Sequence, residues 1–236
     1  MIGAFALLLV QAAVVAPAAP AAATAPVSAE ARAFAEAYVP ADMTTRQAVA
    51  AFRTEAAKAL ALQPAIVALD QRNPGASAKL LDAGAVTVET AYRERLPAFH
   101  RRIAMAAGAE LSGEDLRSIT QFLLSPTGRA LQGAVVANID TGKIAAAGRA
   151  NGQVTSSDIT GAMDIAGSLR AMTPDQIAEL ARFGATAAGR RFQSVVPKLQ
   201  TAITDETNKL GQAVAPAIAQ TMMMTMRSLA APVKGK

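Results

Sequence analysis

The sequence predicts an all-α protein, a helical bundle of antiparallel hairpins in which one hairpin is duplicated. Three observations lead to this fold class. About a quarter of the 236 residues are alanine, which has the highest helix propensity and a low strand propensity. Apolar residues recur with helical spacing behind Ser and Thr residues that are typical helix caps, and one such capped segment occurs twice.

The composition excludes several function classes. The chain has no cysteine, which excludes thiol catalysis, disulfides and thiolate zinc sites. Its one histidine, His100, would have to supply any serine–histidine pair or histidine metal site alone. The net charge of +5 is spread along the chain, and no aromatic platform accompanies Arg101-Arg102, Arg190-Arg191 or the Lys234/Lys236 tail. We therefore expect no nucleic-acid partner, no metal and no cofactor.

Residues 1–29 have the pattern of a signal peptide. The stretch from Ile2 to Ala16 is uncharged and apolar but shorter than the roughly 18 to 20 residues of a spanning helix. Small residues then offer cleavage sites after Ala23 and Ala29. The pattern predicts a periplasmic or secreted protein with residues 30–236 as a single helical domain. Because no Lys or Arg precedes the apolar stretch, an uncleaved N-terminal anchor is the alternative.

The first predicted elements are helices separated by turn signals. Residues 29–39 and about 44–61 have helical periodicity, and the Asn73-Pro74-Gly75 sequence is the strongest turn signal in the chain. A long helix over about 76–109 follows. Proline removes an amide donor inside a helix, so a kink is expected at Pro97.

An internal repeat organises the next part of the chain. Residues 111–132 align without a gap on residues 172–193. The identical pairs are Phe122/Phe183, Gly128/Gly189, Arg129/Arg190 and Gln132/Gln193. Each copy, about 111–137 and about 172–203, is predicted to be a helical hairpin.

Local signals within each copy explain why a hairpin is expected. Ser112 and Thr173 can cap the first helix, because their hydroxyls can accept a bond from a helical amide. The first helix should end before Pro126, since proline disfavours the helical conformation in the preceding residue. Gly128 and Gly189 then lie in the first turn of the second helix, where a missing side chain lets the two helices approach closely.

The segment between the copies and the C-terminal segment complete the prediction. Residues 142–157 are rich in Gly, Ser, Asn and Thr and are predicted to be a linker. Thr204 is predicted to cap a final helix with Asp205 and Glu206 in its first turn. The apolar stripe of that helix comprises Ile203, Leu210, Val214, Ile218, Met222 and Met226.

The first copy carries a resemblance to a protein family. Its Leu-Ser-x-Glu-x-Leu-x-x-Ile-x-x-Phe-x-x-Ser-Pro-x-Gly-Arg pattern, preceded by an amphipathic segment from Tyr92 to Ala109, is similar to exported bacterial proteins of the domain of unknown function 2059 family. The likeness covers residues 89–135. The second copy has Thr186-Ala187 in place of the Ser-Pro pair. The resemblance implies a helical periplasmic or secreted protein and implies no reaction or catalytic residue.

Candidate site residues each have a structural and a functional interpretation. His100 is either a polar residue on an amphipathic helix or a base that would need a nucleophile. Arg129 and Arg190 either pair with acidic residues on a neighbouring helix or bind an anion near a helix N-terminus. We favour the structural interpretation of all three.

Methionine and acidic clusters also have structural interpretations. The Met222-Met-Met-Thr-Met226 run could suggest Cu(I) binding, but adjacent helical positions point in different directions, which favours packing or an adaptable surface. The pairs Glu114-Asp115 and Asp205-Glu206 suit first helical turns, where the helix dipole favours negative charge.

The favoured functional hypothesis is a non-enzymatic cell-envelope protein that binds a protein, peptide or lipid through grooves between the hairpins. The first alternative is an unrecognised hydrolase that uses carboxylates with His100 or the repeated arginines. The second alternative is a membrane-surface protein whose Ala/Met-rich C-terminal helix lies on lipid.

Overall fold

The computed structural model describes residues 26–230, and the signal-peptide prediction falls outside the described residues except for its last four positions. The helices are α1 (Ala29–Tyr38), α2 (Ala41–Ala61), α3 (Pro64–Arg72), α4 (Ala76–Gly108), α5 (Gly113–Leu124), α6 (Pro126–Ala137), α7 (Thr141–Asn151), α8 (Ser156–Ala162), α9 (Ile165–Arg170), α10 (Pro174–Ala185) and α11 (Ala187–Ala230). The all-α prediction is confirmed: over the described range, the only β pairing is an isolated bridge between Ile139 and Met163.

The described residues form two compact units. The first unit contains residues 42–95 and 209–230, and the second contains residues 26–41 and 96–208. Helices α4 and α11 contribute residues to both units.

The first unit is held together by an apolar core to which α11 contributes much of its predicted stripe. The buried core residues are Leu60, Ile66, Leu80, Val88, Leu210, Val214, Ile218 and Met222. The Thr87 hydroxyl on α4 lies 3.1 Å from the Thr221 hydroxyl on α11. The turn at Asn73-Pro74-Gly75 is present, and Gly75 has the positive φ of 85° that glycine adopts without strain.

The second unit has a core in which α1 is the central contributor. Its Phe34 ring is fully buried, stacks on Tyr38 at a centroid distance of 5.4 Å and meets Phe192 of α11 edge-on at 6.0 Å. Burial raises the pKa of the Tyr38 phenol to about 12, because the ionised form would lose its hydration. Ser28 caps α1, since its hydroxyl accepts from the Ala31 amide at 3.1 Å.

The predicted linker is helical over most of its length. Asp140 caps α7 by accepting from the Lys143 amide at 3.0 Å, and alanines 145–147 favour the helix that follows. Of the predicted linker, residues 142–157, only residues 152–155 lie outside α7 and α8. There Asn208 forms two hydrogen bonds with the main chain of Val154. Its Oδ1 accepts from the amide at 2.9 Å, and its Nδ2 donates to the carbonyl at 2.8 Å.

The predicted cap at Thr204 is wrong, because α11 runs without interruption from Ala187 to Ala230. Thr204 is buried inside this helix, and its hydroxyl donates to the Gln200 carbonyl at 2.8 Å. A threonine can satisfy its hydroxyl in this way without ending a helix. Asp205 and Glu206 are therefore interior residues of α11, and the helix dipole does not explain them.

Candidate functional site

Both predicted hairpins form, and each begins with the same capping arrangement. The Ser112 hydroxyl accepts from the Asp115 amide at 3.1 Å, and the Asp115 carboxylate accepts from the Ser112 amide at 3.3 Å. In the second copy, the Thr173 hydroxyl accepts from the Gln176 amide at 3.3 Å, and the Gln176 side chain accepts from the Thr173 amide at 2.9 Å. These reciprocal bonds satisfy amides that the first turn of a helix leaves unpaired.

The turn between the two helices of each hairpin is also duplicated. The Ser125 hydroxyl accepts from the Gly128 amide at 3.1 Å, and the Thr186 hydroxyl accepts from the Gly189 amide at 3.0 Å. A Cβ atom at Gly128 or Gly189 would lie 2.1 Å from the main-chain oxygen of Phe122 or Phe183. Both glycines are therefore needed for the close approach of the two helices, as the sequence predicted.

Equivalent residues of the two copies contact each other in the second unit. The rings of Phe122 and Phe183 stack with their centroids 4.0 Å apart and their planes within 2° of parallel. Around this stack, Thr127 of α6 donates to Glu179 of α10, and Arg191 of α11 contacts the Asp115 carboxylate of α5 at 3.0 Å. The two hairpins thus contact each other reciprocally, first helix to second helix in both directions. This pattern is typical of a local twofold relation.

The Asp115 carboxylate is the buried charge of this contact, with a side chain that is only 5% exposed. Hydrogen bonding from Ser112 and the charge of Arg191 hold the pKa of Asp115 below its usual value, against the opposing effect of burial. The folded state therefore favours the ionised carboxylate, and the charge serves the packing of the two hairpins.

Asp115→Asn is expected to lower the free energy of unfolding by about 1 to 3 kcal/mol at neutral pH, because charge-assisted bonds to Ser112 and Arg191 are lost. A lowered folded-state pKa gives stability that is present above the unfolded-state pKa and is lost as pH falls through the folded-state pKa. The difference between the wild type and the variant should therefore shrink below about pH 4. Urea unfolding followed by circular dichroism from pH 7 to pH 3 measures it, and a difference that does not change with pH contradicts this role.

The two copies differ in what covers their apolar stripes, which comprise Leu116, Ile119, Phe122 and Leu123 in the first copy and Ile177, Leu180 and Phe183 in the second. In the first copy, α1 packs on α5, and Leu116 is only 1% exposed. An ion pair of 3.2 Å between Arg117 and Glu30 also joins the two helices. In the second copy, Ile177, which is equivalent to Leu116, is 42% exposed.

We call this open surface the α10 face and define it by the exposed or half-buried residues Ile177, Ala178, Leu180, Ala181, Gly184 and Ala185. The repeat predicted two equal stripes and did not reveal that α1 covers only the first of them. The residue differences give a signal for the asymmetry, since Arg117 and Leu123 of the first copy are replaced by Ala178 and Gly184 in the second.

Within residues 26–230, no hydrogen bond or ion pair joins the predicted site residues His100, Arg129 and Arg190 to one another. The His100 Nε2 atom lies 2.7 Å from the Val39 carbonyl oxygen, which is a contact between α4 and the end of α1. Arg190 donates to the Ala185 carbonyl, and the exposed Arg129 guanidinium forms no ion pair among the described residues. The expected pairing of these arginines with acidic residues is wrong, because the neighbouring Arg191 makes the ion pair instead.

The methionines of the Met222–Met226 run lie in different environments. Met222 is buried in the core of the first unit, whereas Met224 is 54% exposed. The described part of the chain contains no group of three or more His, Cys, Asp or Glu residues placed to hold a metal ion. Asp115, of the first acidic pair, belongs to the capping box, and Glu114 lies exposed beside it.

None of the helices between residues 26 and 230 combines the length and the apolar character needed to cross a membrane. No family model, curated protein or solved structure matches the chain.

Proposed function

We propose that this protein is an exported helical protein of the bacterial cell envelope that acts without catalysis and binds a polypeptide through the α10 face. Its assignment to the domain of unknown function 2059 family is supported by the motif from Leu111 to Arg129, and export is supported by the pattern of residues 1–29. Sequencing the N-terminus of the mature chain from a periplasmic fraction tests export, and a cytoplasmic chain that begins at Met1 would contradict it.

One observation supports binding at the α10 face: α1 covers the stripe on α5, whereas on α10, among the described residues, Ile177 is 42% exposed and Leu180 is only half-buried. In the first copy, this stripe therefore packs against an amphipathic helix, α1. The α10 face has alanine and glycine at positions 178, 181, 184 and 185, and small side chains let a second helix approach closely. A polypeptide helix is thus the occupant that the face suits best.

A photoactivatable amino acid at position 181 is expected to crosslink to a polypeptide in cell-envelope extracts, because Ala181 lies in the middle of the α10 face. The matched control is the same amino acid at position 150, where Ala150 is also exposed, near the C-terminal end of α7. Gel electrophoresis with mass spectrometry identifies the products. A product from position 181 that is absent from position 150 supports the proposal, and an uncrosslinked chain from both positions contradicts it.

A further inference from the structure

We propose that the occupant of the α10 face is the α10 face of a second copy of this chain, packed antiparallel about a twofold axis. This inference rests on the proposed function, since it names the partner of the same face. The charges that flank the α10 face and the sizes of its residues support this dimer, and together they fix the register of the two helices.

Two charged residues flank the α10 face and are seven positions apart, so they lie on the same side of the helix two turns from each other. These residues, Asp175 and Arg182, are both exposed, and neither side chain forms an ion pair among the described residues. In an antiparallel pair, each Asp175 lies opposite the second copy's Arg182. A parallel pair about a twofold axis would instead place the charged flanks of the two copies on opposite sides of the contact, where Asp175 and Arg182 could not pair across it.

The same register also matches the apolar residues. When the axis passes between residues 178 and 179, Ile177 lies opposite the second copy's Leu180, twice by symmetry. Ala178 then lies beside the axis, where a small side chain permits close contact between the helices. Charge and apolar pairing thus select one register, which makes the face self-complementary.

The size of the face indicates a transient dimer. A single face of a twelve-residue helix contributes less than the roughly 600 Å² per partner found in the smallest stable interfaces. We therefore expect a dissociation constant on the order of 10 µM or weaker. Exposed ion pairs add little affinity but fix orientation, so their main effect here is on register.

Sedimentation equilibrium of the protein from about 1 to 500 µM tests the association, and a charge exchange tests the register. Asp175→Arg and Arg182→Asp should each weaken dimerisation by about tenfold, because each creates two like-charge contacts per dimer. The double variant with both substitutions should return to within about threefold of the wild type, because the pairs are restored with exchanged signs. Thermal unfolding of each variant shows that the fold is retained.

Two cysteine variants test the register independently of affinity, since the chain has no other cysteine. Ala178→Cys should form a disulfide-linked dimer on mild oxidation, because its two copies meet at the axis. Ala185→Cys, at an exposed alanine on the same helix, should form no disulfide-linked dimer, because its two copies lie about 20 Å apart along the pair.

A monomer at every concentration, equal crosslinking of the two cysteine variants, or a double charge variant as weak as the single ones would each overturn the proposed dimer. If the dimer is absent while position 181 still crosslinks to a different polypeptide, the dimer is excluded and the proposed binding function stands. If neither the dimer nor any crosslink from position 181 appears, both proposals fail.

Discussion

Gly128→Ala and Gly189→Ala are each expected to destabilise the protein by about 3 kcal/mol or more, although alanine is a better helix former than glycine. The added Cβ atom would lie 2.1 Å from a main-chain oxygen of the preceding helix, Phe122 O or Phe183 O. Main-chain atoms cannot move aside as the end of a flexible side chain can, so the two helices of the hairpin must separate. The free energy of unfolding, from urea titration followed by circular dichroism, measures the effect.

Two other glycines in the same helices provide matched controls. A Cβ atom at Gly133 in α6 or at Gly211 in α11 would meet nothing within 4 Å. Gly133→Ala and Gly211→Ala should therefore be neutral or stabilise by up to about 1 kcal/mol, through helix propensity alone. If the Gly128 and Gly189 variants behave like these controls, the close packing inside the two hairpins is refuted.

Phe122→Ala is expected to cost about 3 kcal/mol, and Phe183→Ala about 2 kcal/mol. The equivalent positions of the two residues in the repeat would suggest equal costs, but Phe122 is buried whereas Phe183 is half-buried. Since the rings stack on each other, the double variant should cost about 1 kcal/mol less than the sum of the single variants.

A double-mutant cycle on the free energies of unfolding isolates this coupling. The cycle distinguishes a stack between the two copies from two separate burial sites, because separate sites give additive costs. Strict additivity would contradict the contact between equivalent residues, and the absence of any cost for either substitution would contradict the paired hairpins altogether.

Local signals explain why much of the fold was predictable. The caps at Ser112 and Thr173 and the close approach at Gly128 and Gly189 depend on residues within a few positions of each other, so the sequence carries them directly. The false helix start at Thr204 has the opposite cause. A Thr-Asp-Glu sequence is compatible with a cap, but only the surrounding chain determines whether the helix has already begun, and here it began at Ala187.

The candidate site was not predictable in the same way, because it depends on contacts that are distant in sequence. Arg191 rather than Arg190 faces Asp115, and this choice depends on how the two hairpins rotate against each other. The exposure of α10 depends on where α1 packs. On periodicity alone, α1 could have packed on either stripe. Periodicity identifies an apolar face but does not identify its partner.

The central claim is that α1 covers Leu116 in the stripe of the first copy, whereas the equivalent Ile177 of the second copy stays exposed. Thiol labelling of Leu116→Cys and Ile177→Cys tests it most directly, because each introduced cysteine is the only one in the chain. At micromolar concentration or below, the cysteine at position 177 should react within about tenfold of the unfolded rate. The cysteine at position 116 should react about a thousandfold more slowly, since only an opening of the α1–α5 contact exposes it. Equal protection of the two thiols would contradict the account.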